Sequence, residues 1–375
     1  LEVDYDSKVA YMLINVFYQL VIGMIYPLLP LFMKSIGISI IVISIVISGI
    51  SIISFASSII IGYFYDRIKG KRNGMIMGIM GELILIFLSL FYRLILAFPL
   101  LGFTISAMYP MIMVSASEGT EAEKRFGFFW LGGSIGWSIG TGITGIVFKT
   151  LGINYIFGIS AIFYAIMVYL SLSQYSSKTK VVSGNTPVPI SQMITIISFL
   201  GIFVLFSIDT IKNLYLPTYY TFDLGVSLPL STLTLSVEAI LEIPSILFFT
   251  YLISKKVKNS KVFSLSFMLA SLYLLLNYIA FNTISAFIAM SFYCLVWGSF
   301  IVSSSIIVAN LSQKFRGLGF GIFNSLYPLS GIITPLYMGV MIKTLGYKQS
   351  LLYLSLIPLL VGIFYYLIQY ENKVK

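Results

Sequence analysis

The sequence predicts an all-α membrane protein of twelve transmembrane helices, arranged as two pseudo-symmetric six-helix bundles. Three observations carry that expectation. Of 375 residues, 58% are hydrophobic and 10% charged. Soluble domains carry roughly 25% charged residues, so the surplus apolar surface of this chain must face lipid. The apolar residues fall into runs that match the about 20 residues a helix needs to cross a bilayer. Short stretches of the first half also recur, in order, in the second.

Breaks at charged, Gly/Pro or Asn/Ser-rich positions divide the chain into spans at 9–33, 39–65, 73–92, 94–116, 126–148, 153–173, 193–221, 228–253, 262–280, 284–310, 317–342 and 347–369. The leader Leu1–Lys8 is acidic and the first run is long, which does not suit a cleavable signal peptide. One long polar stretch, 174–192, is rich in Ser, Lys, Thr and Pro and reads as a cytoplasmic linker. The expected organisation is therefore an N-terminal bundle over 1–173 and a C-terminal bundle over 193–375.

With the N-terminus inside, seventeen of the 23 Lys and Arg residues fall on the cytoplasmic side, five on the other, and Lys212 within a span. That asymmetry sets both termini in the cytoplasm of a multi-pass protein, expected in the plasma membrane. The net charge of +10 comes from short basic clusters between spans. It predicts contact with anionic lipid, not nucleic acid. Cys294 is the one cysteine and histidine is absent, so no internal disulfide forms and imidazole metal sites and histidine catalysis are excluded. No Walker-type phosphate loop is present, so ATP is not expected to be the energy source, and no cofactor or metal is expected.

The fifth span ends Gly145-Ile-Val-Phe-Lys149-Thr-Leu-Gly152 and the eleventh Gly339-Val-Met-Ile-Lys343-Thr-Leu-Gly346. Each follows a basic entry, Lys124-Arg125-Phe-Gly127 and Lys314-Phe-Arg316-Gly317. Likewise the first span leaves through Ser35-Ile-Gly37-Ile-Ser39 and the seventh through Asp223-Leu-Gly225-Val-Ser227. Ordered matches on either side of a central linker indicate a parallel six-helix repeat, which in transporters places a substrate site near the midplane between halves.

After the second span comes Gly62-Tyr-Phe-Tyr-Asp66-Arg67-Ile-Lys69-Gly70-Lys71-Arg72. This resembles the Gly-x-x-x-Asp-Arg-x-Gly-x-(Arg/Lys) loop of the major facilitator superfamily, with one residue inserted before Gly70. The resemblance implies a conformational latch in which Gly62 allows close packing, Asp66 caps or pairs at a helix end, and Arg67, Lys71, Arg72 and Arg125 engage carboxylates such as Glu118. Ile25-Tyr26-Pro27-Leu-Leu-Pro30 is similar to the end of the first helix in exporters of that superfamily. The glycines of Gly132-Gly133-Ser-Ile-Gly136-Trp137-Ser-Ile-Gly140-Thr-Gly142 resemble its fifth helix, although Trp137 stands where antiporters carry Pro. Phe98 stands where many exporters carry a membrane-embedded Arg. Glu238-Ala-Ile-Leu241-Glu242-Ile243-Pro244 is more weakly similar to a segment of bacterial sugar efflux transporters.

Ionisable groups near the bilayer centre cost about 2.5–3.5 kcal/mol or more each, and five stand there: Glu82, Asp209, Lys212, Glu238 and Glu242. Asp209 and Lys212 are i, i+3, and Glu238 and Glu242 are i, i+4. By a rise of about 1.5 Å per residue the two pairs share a depth in the membrane. Three acids for one base leave a carboxyl without a cation, which makes Glu242 or Glu238 an expected proton carrier, with Asp209–Lys212 a switchable pair. The same charges could instead be a static network joining the seventh and eighth spans. Glu82, in the third span, fits a static hydrogen bond as well as a coupling role.

Asn15, Gln19 and Tyr18 in the first span, with Asn213, Trp297 and Asn324 in the second half, are the candidate cavity residues. With the aromatic side chains they suit a ligand that has hydroxyls and an apolar face, such as a sugar or an amphiphilic drug. The expected function is alternating-access secondary transport of such a solute by a monomer, coupled to protons. A lipid or lipid-linked-precursor flippase on the same fold is the alternative. A membrane-embedded enzyme would need an acid–base or metal constellation and long loops to hold it, so no enzymatic activity is expected.

Overall fold

The computed structural model describes residues 2–67, 71–109, 112, 122–174, 192–311 and 316–374. Every regular element among them is helical, as lipid requires, because a spanning segment must satisfy its backbone N–H and C=O groups internally. In chain order the helices are α1 (Glu2–Ile25), α2 (Leu28–Ser35), α3 (Ile40–Arg67), α4 (Lys71–Leu90), a 3-10 turn (Ile95–Leu100), α5 (Leu101–Ala107), α6 (Ala122–Leu151), α7 (Ile153–Ser173), α8 (Gln192–Leu214), α9 (Leu216–Phe222), α10 (Leu228–Ser254), α11 (Asn259–Ile279), α12 (Thr283–Leu311) and α13 (Arg316–Val374). Gly346, with φ 80°, divides α13 into two helices.

Nine helical stretches among the described residues are long and apolar enough to cross a membrane, and the last of them, Ile322–Ile368, contains the Gly346 corner. The shorter apolar helices Gly74–Leu90 and Ile95–Ala107 occupy the third and fourth places. The helices of the described residues are consistent with the twelve expected spans. Large apolar side chains such as Leu96, Ile284 and Ile162 are 81%, 70% and 63% exposed, far beyond what a soluble surface tolerates in such numbers. The fourth span is not one continuous α-helix at its start. Pro99 lies inside the 3-10 turn, where its missing N–H removes a backbone donor.

The sequence repeat has a backbone meaning. Gly37, Gly152, Gly225 and Gly346 have φ of +84°, +98°, +69° and +80°. These are the glycines of the two repeated motifs, paired 37 with 225 and 152 with 346. A Cβ at Gly37, Gly225 or Gly346 would meet nothing within 4 Å, so the requirement is the left-handed backbone and not space. The structure adds a third pair. The first span breaks between α1 and α2 at Tyr26-Pro27, and the seventh between α8 and α9 at Tyr215, with Pro217 in the first turn beyond. Proline is tolerated there because the first helical N–H groups lack intrahelical partners.

The described residues form two compact units, Leu1–Val181 with Ser227–Ile240, and Val182–Val226 with Leu241–Lys375. In the first unit α6 lies directly on α1. A Cβ at Gly132, Gly136 or Gly140 would collide with the carbonyls of Met12, Val16 and Leu20. Thr144 Oγ1 donates to Met24 O at 2.6 Å and Asn15 Nδ2 donates to Phe129 O at 2.6 Å. A second face of α6 receives the start of α10, where Gly145 meets Pro229 and Thr232, and Ser138 Oγ lies 3.1 Å from Ser236 Oγ. This contact explains why residues 227–240 group with the first unit. Pro244 lies inside the continuous helix α10, where it has no N–H to give the carbonyl of Ile240.

Candidate functional site

The second unit buries a charge cluster built from three helices. Asp209, Lys212 and Asn213 come from one face of α8, at i, i+3 and i+4. Glu242 comes from α10, and Tyr293 from α12. Lys212 Nζ lies 3.2 Å from Asp209 Oδ1 and 4.0 Å from Glu242 Oε1. It also sits over the Tyr293 ring, 4.2 Å from the centroid. Asn213 Nδ2 donates to Asp209 Oδ2 at 2.9 Å. Asp209, Lys212, Asn213 and Glu242 are 4%, 2%, 3% and 7% exposed, and Tyr293 is fully buried.

Two carboxylates therefore share one ammonium in a site that water barely reaches. Charges taken out of water hold together only through close pairing and further hydrogen bonds, and the aromatic face adds about 0.5–2 kcal/mol of attraction for the cation. Protonation of one carboxylate would leave a neutral pair beside a neutral acid.

One turn beyond Tyr293 on α12, half-buried Trp297 packs edge-on against Phe300, with centroids 5.7 Å apart. Phe300 meets Phe206 at 5.1 Å, and Phe206 meets Tyr327 at 5.3 Å. These rings stand on α8, α12 and α13, two of which also carry the charge cluster.

The other sequence-derived candidates are placed as follows. Glu238, one turn before Glu242, is fully buried and belongs to the part of α10 in the first unit. Glu82 is half-buried on α4, next to Gly81, whose carbonyl accepts from Thr104 Oγ1 at 3.1 Å. Asn15 and Tyr18 are buried and donate to backbone carbonyls, Tyr18 to Ile105 O at 2.8 Å. Gln19 is half-buried and Asn324 exposed. Tyr18, Tyr26, Thr104 and Tyr164 help line a small, otherwise aliphatic pocket in the first unit. Of the expected latch, α3 runs through Gly62, Asp66 and Arg67, and α4 begins at Lys71. Arg72 is exposed. Gly70 and Glu118, and the side chains of Asp66, Arg67, Lys71 and Arg125, lie outside the described residues.

Sequence reasoning missed Tyr293. Its only local signal is its position four residues before Trp297, which puts both rings on one helical face. It also missed that Asn213 belongs to the charge cluster, although its i+4 spacing from Asp209 carries that information.

The description of the Major Facilitator Superfamily matches residues 11–306 and, separately, 198–375. The chain is 22% identical over 341 residues to the proton-coupled antiporter flippase LtaA of Staphylococcus haemolyticus, covering 85% of this chain and 83% of the relative. Among solved structures, a POT family transporter in complex with 5-aminolevulinic acid superposes with a TM-score of 0.81 at 13% identity, covering 98% of this chain and 96% of that one. The nucleoside transporter NupG superposes with a TM-score of 0.72 at 13% identity, covering 96% and 98%. At such identities the structural likeness concerns the fold.

Proposed function

The chain belongs to the Major Facilitator Superfamily, and from that premise we propose that it is a secondary transporter coupling movement of a small organic solute to protons by alternating access. The observation that carries the proposal is the Asp209–Lys212–Glu242 cluster, two buried carboxylates around one ammonium. In this reading Glu242, with Glu238 one turn away, takes up and releases the proton, and Asp209–Lys212 is the pair that opens and closes in response. The group paired with the exchanging carboxyl is Lys212 from α8, 4.0 Å from Glu242 Oε1, which itself pairs with Asp209. The six-helix bundles 1–173 and 193–375, joined by the cytoplasmic segment 174–192, supply the two moving halves. The chain acts as a monomer in the cell membrane with both termini inside, and the Asp66–Arg72 loop serves as the latch.

A second reading, a lipid flippase, is favoured by the 22% identical relative, which bears that name. It uses the same coupling residues and differs in cargo. Reconstitution into liposomes tests both. An imposed proton gradient should drive saturable flux of one of a panel of monosaccharides, nucleosides and cationic dyes, or translocation of a labelled glycolipid. If replacing Glu238 and Glu242 together with Gln leaves that flux and its pH dependence unchanged, the proposal fails.

A further inference from the structure

The corner between α10 and α11 departs from the other corners of the chain. Gly37, Gly152, Gly225 and Gly346 supply the positive φ elsewhere, whereas here Lys256 does, with φ 68°. Lys256 N donates to Ile253 O at 3.0 Å and Val257 N to Leu252 O at 3.2 Å. Such a pair of bonds closes a helix over a left-handed residue, a position that favours glycine. A lysine held in that conformation is a cost, and the cost points to a task for its side chain. Lys255, Lys256, Lys258 and Lys261 are all exposed. Lys255 Nζ lies 5.4 Å from the centre of the exposed Tyr251 ring, and Leu247 and Phe248, one turn earlier, are 63% and 53% exposed. A tyrosine between a lipid-facing apolar surface and a row of lysines marks the headgroup level of the membrane.

At the spacing that pairs Gly37 with Gly225, the start of α4 at Lys71 falls opposite the start of α11 at Asn259. The corner is therefore the second copy of the Asp66–Arg72 loop. The first copy carries an acid of its own, Asp66, where the second has Ser254, whose Oγ donates to Tyr251 O at 2.7 Å. No Asp or Glu stands between Glu242 and Glu371. Lys255, Lys256 and Lys261 have no acidic partner among the described residues. The first turn of α11 contains no acid, so the positive end of its dipole adds to the lysines instead of being offset. We propose that the α10–α11 corner binds the headgroup of an anionic phospholipid, whose phosphate supplies the anion that this copy of the loop omits. Orientation in the membrane asks only for positive charge on one side, and gives no reason to force a lysine into a glycine conformation. The site stands whether or not the buried cluster carries protons.

The test is native mass spectrometry of the full chain in neutral detergent, titrated with phosphatidylglycerol or with zwitterionic phosphatidylcholine of the same tails. The protein should hold phosphatidylglycerol about tenfold more tightly, and Lys255→Gln with Lys256→Gln should remove most of that preference. Lys343→Gln with Lys348→Gln takes the same charge from the Gly346 corner and should leave the preference in place. Equal loss in the two double variants would reduce the effect to net charge and overturn the site. A wild-type protein that does not discriminate between the lipids would overturn it as well. Displacement of phosphatidylglycerol by equimolar inorganic phosphate would overturn the lipid assignment. Lys256→Gly gives a readout that a purely structural turn would not. It relaxes the corner and should raise the thermal midpoint in phosphatidylcholine nanodiscs, yet shrink the further rise that phosphatidylglycerol gives the wild-type protein. A Lys256→Gly protein that gains as much from phosphatidylglycerol as the wild type would sink the role assigned to the strained lysine.

Discussion

The two units solve the same packing problem with different chemistry. In the first, α6 meets α1 through glycines, so that Gly132, Gly136 and Gly140 lie on backbone carbonyls. The contact is close, backbone against backbone, with the hydrogen bonds of Thr144 and Asn15 at its two ends. In the second, the repeat-related contact of α13 with α8 is made by hydroxyls: Thr210 Oγ1 lies 3.0 Å from Ser330 Oγ, and Tyr215 donates to Pro335 O at 3.2 Å. At the spacing that pairs Pro27 with Pro217, Gln19 of the first half stands opposite Asp209 of the second, and Gly23 opposite Asn213. Gly23 lies against the Trp137 carbonyl, whereas Asn213 holds the Asp209 carboxylate. One copy of the repeat kept a rigid seam, and the other acquired an ionisable interior.

That contrast can be broken most forcefully at Lys212. Lys212→Met leaves two buried carboxylates uncompensated, and should cost about 3–5 kcal/mol of stability, read as a large drop in thermal midpoint in detergent or nanodiscs. Neutralising the whole cluster, Lys212→Met with Asp209→Asn and Glu242→Gln, should return most of that stability while proton-driven flux stays lost. Recovery of flux would mean the charges are only a static brace. Next in size, Gly136→Val pushes into the Val16 carbonyl and should cost about 3 kcal/mol. At the corners, Gly346→Ala forces a side chain into the left-handed region and should cost about 1–2 kcal/mol. The smallest effect belongs to the hydroxyl seam, where Ser330→Ala should cost about 1 kcal/mol. If Ser330→Ala proved as damaging as Gly136→Val, the two seams would be equivalent and the contrast would collapse.

Much of this was legible in the amino-acid sequence because lipid imposes simple rules. Apolar runs had to be helices, and the Lys-Thr-Leu-Gly tetrads marked corners whose positive φ only glycine adopts easily. The pairing of α8 with Glu242 followed from counting depth along two spans. The partnership of Lys212 with Tyr293 did not, since a ring 81 positions away leaves no periodicity for the eye to find. Nor was the roll of α10 visible, because the division between Ile240 and Leu241 depends on which neighbours Gly142 and Gly145 admit. Asn15 and Tyr18 looked like cavity residues by type, and the structure shows their donors bonded to backbone carbonyls.

The corners at Gly152 and Gly346 bear on how the protein is made. At Gly152 one helix ends at Leu151 and the next starts at Ile153, so no tether exists that could leave the first helix seated while the second waits outside. The fifth span with the sixth, and the eleventh with the twelfth, are joined so tightly that each pair is expected to enter the bilayer as a hairpin. An epitope or protease site placed at either corner would split a unit of biogenesis, whereas the Ser/Lys/Thr-rich 174–192 segment gives room for one.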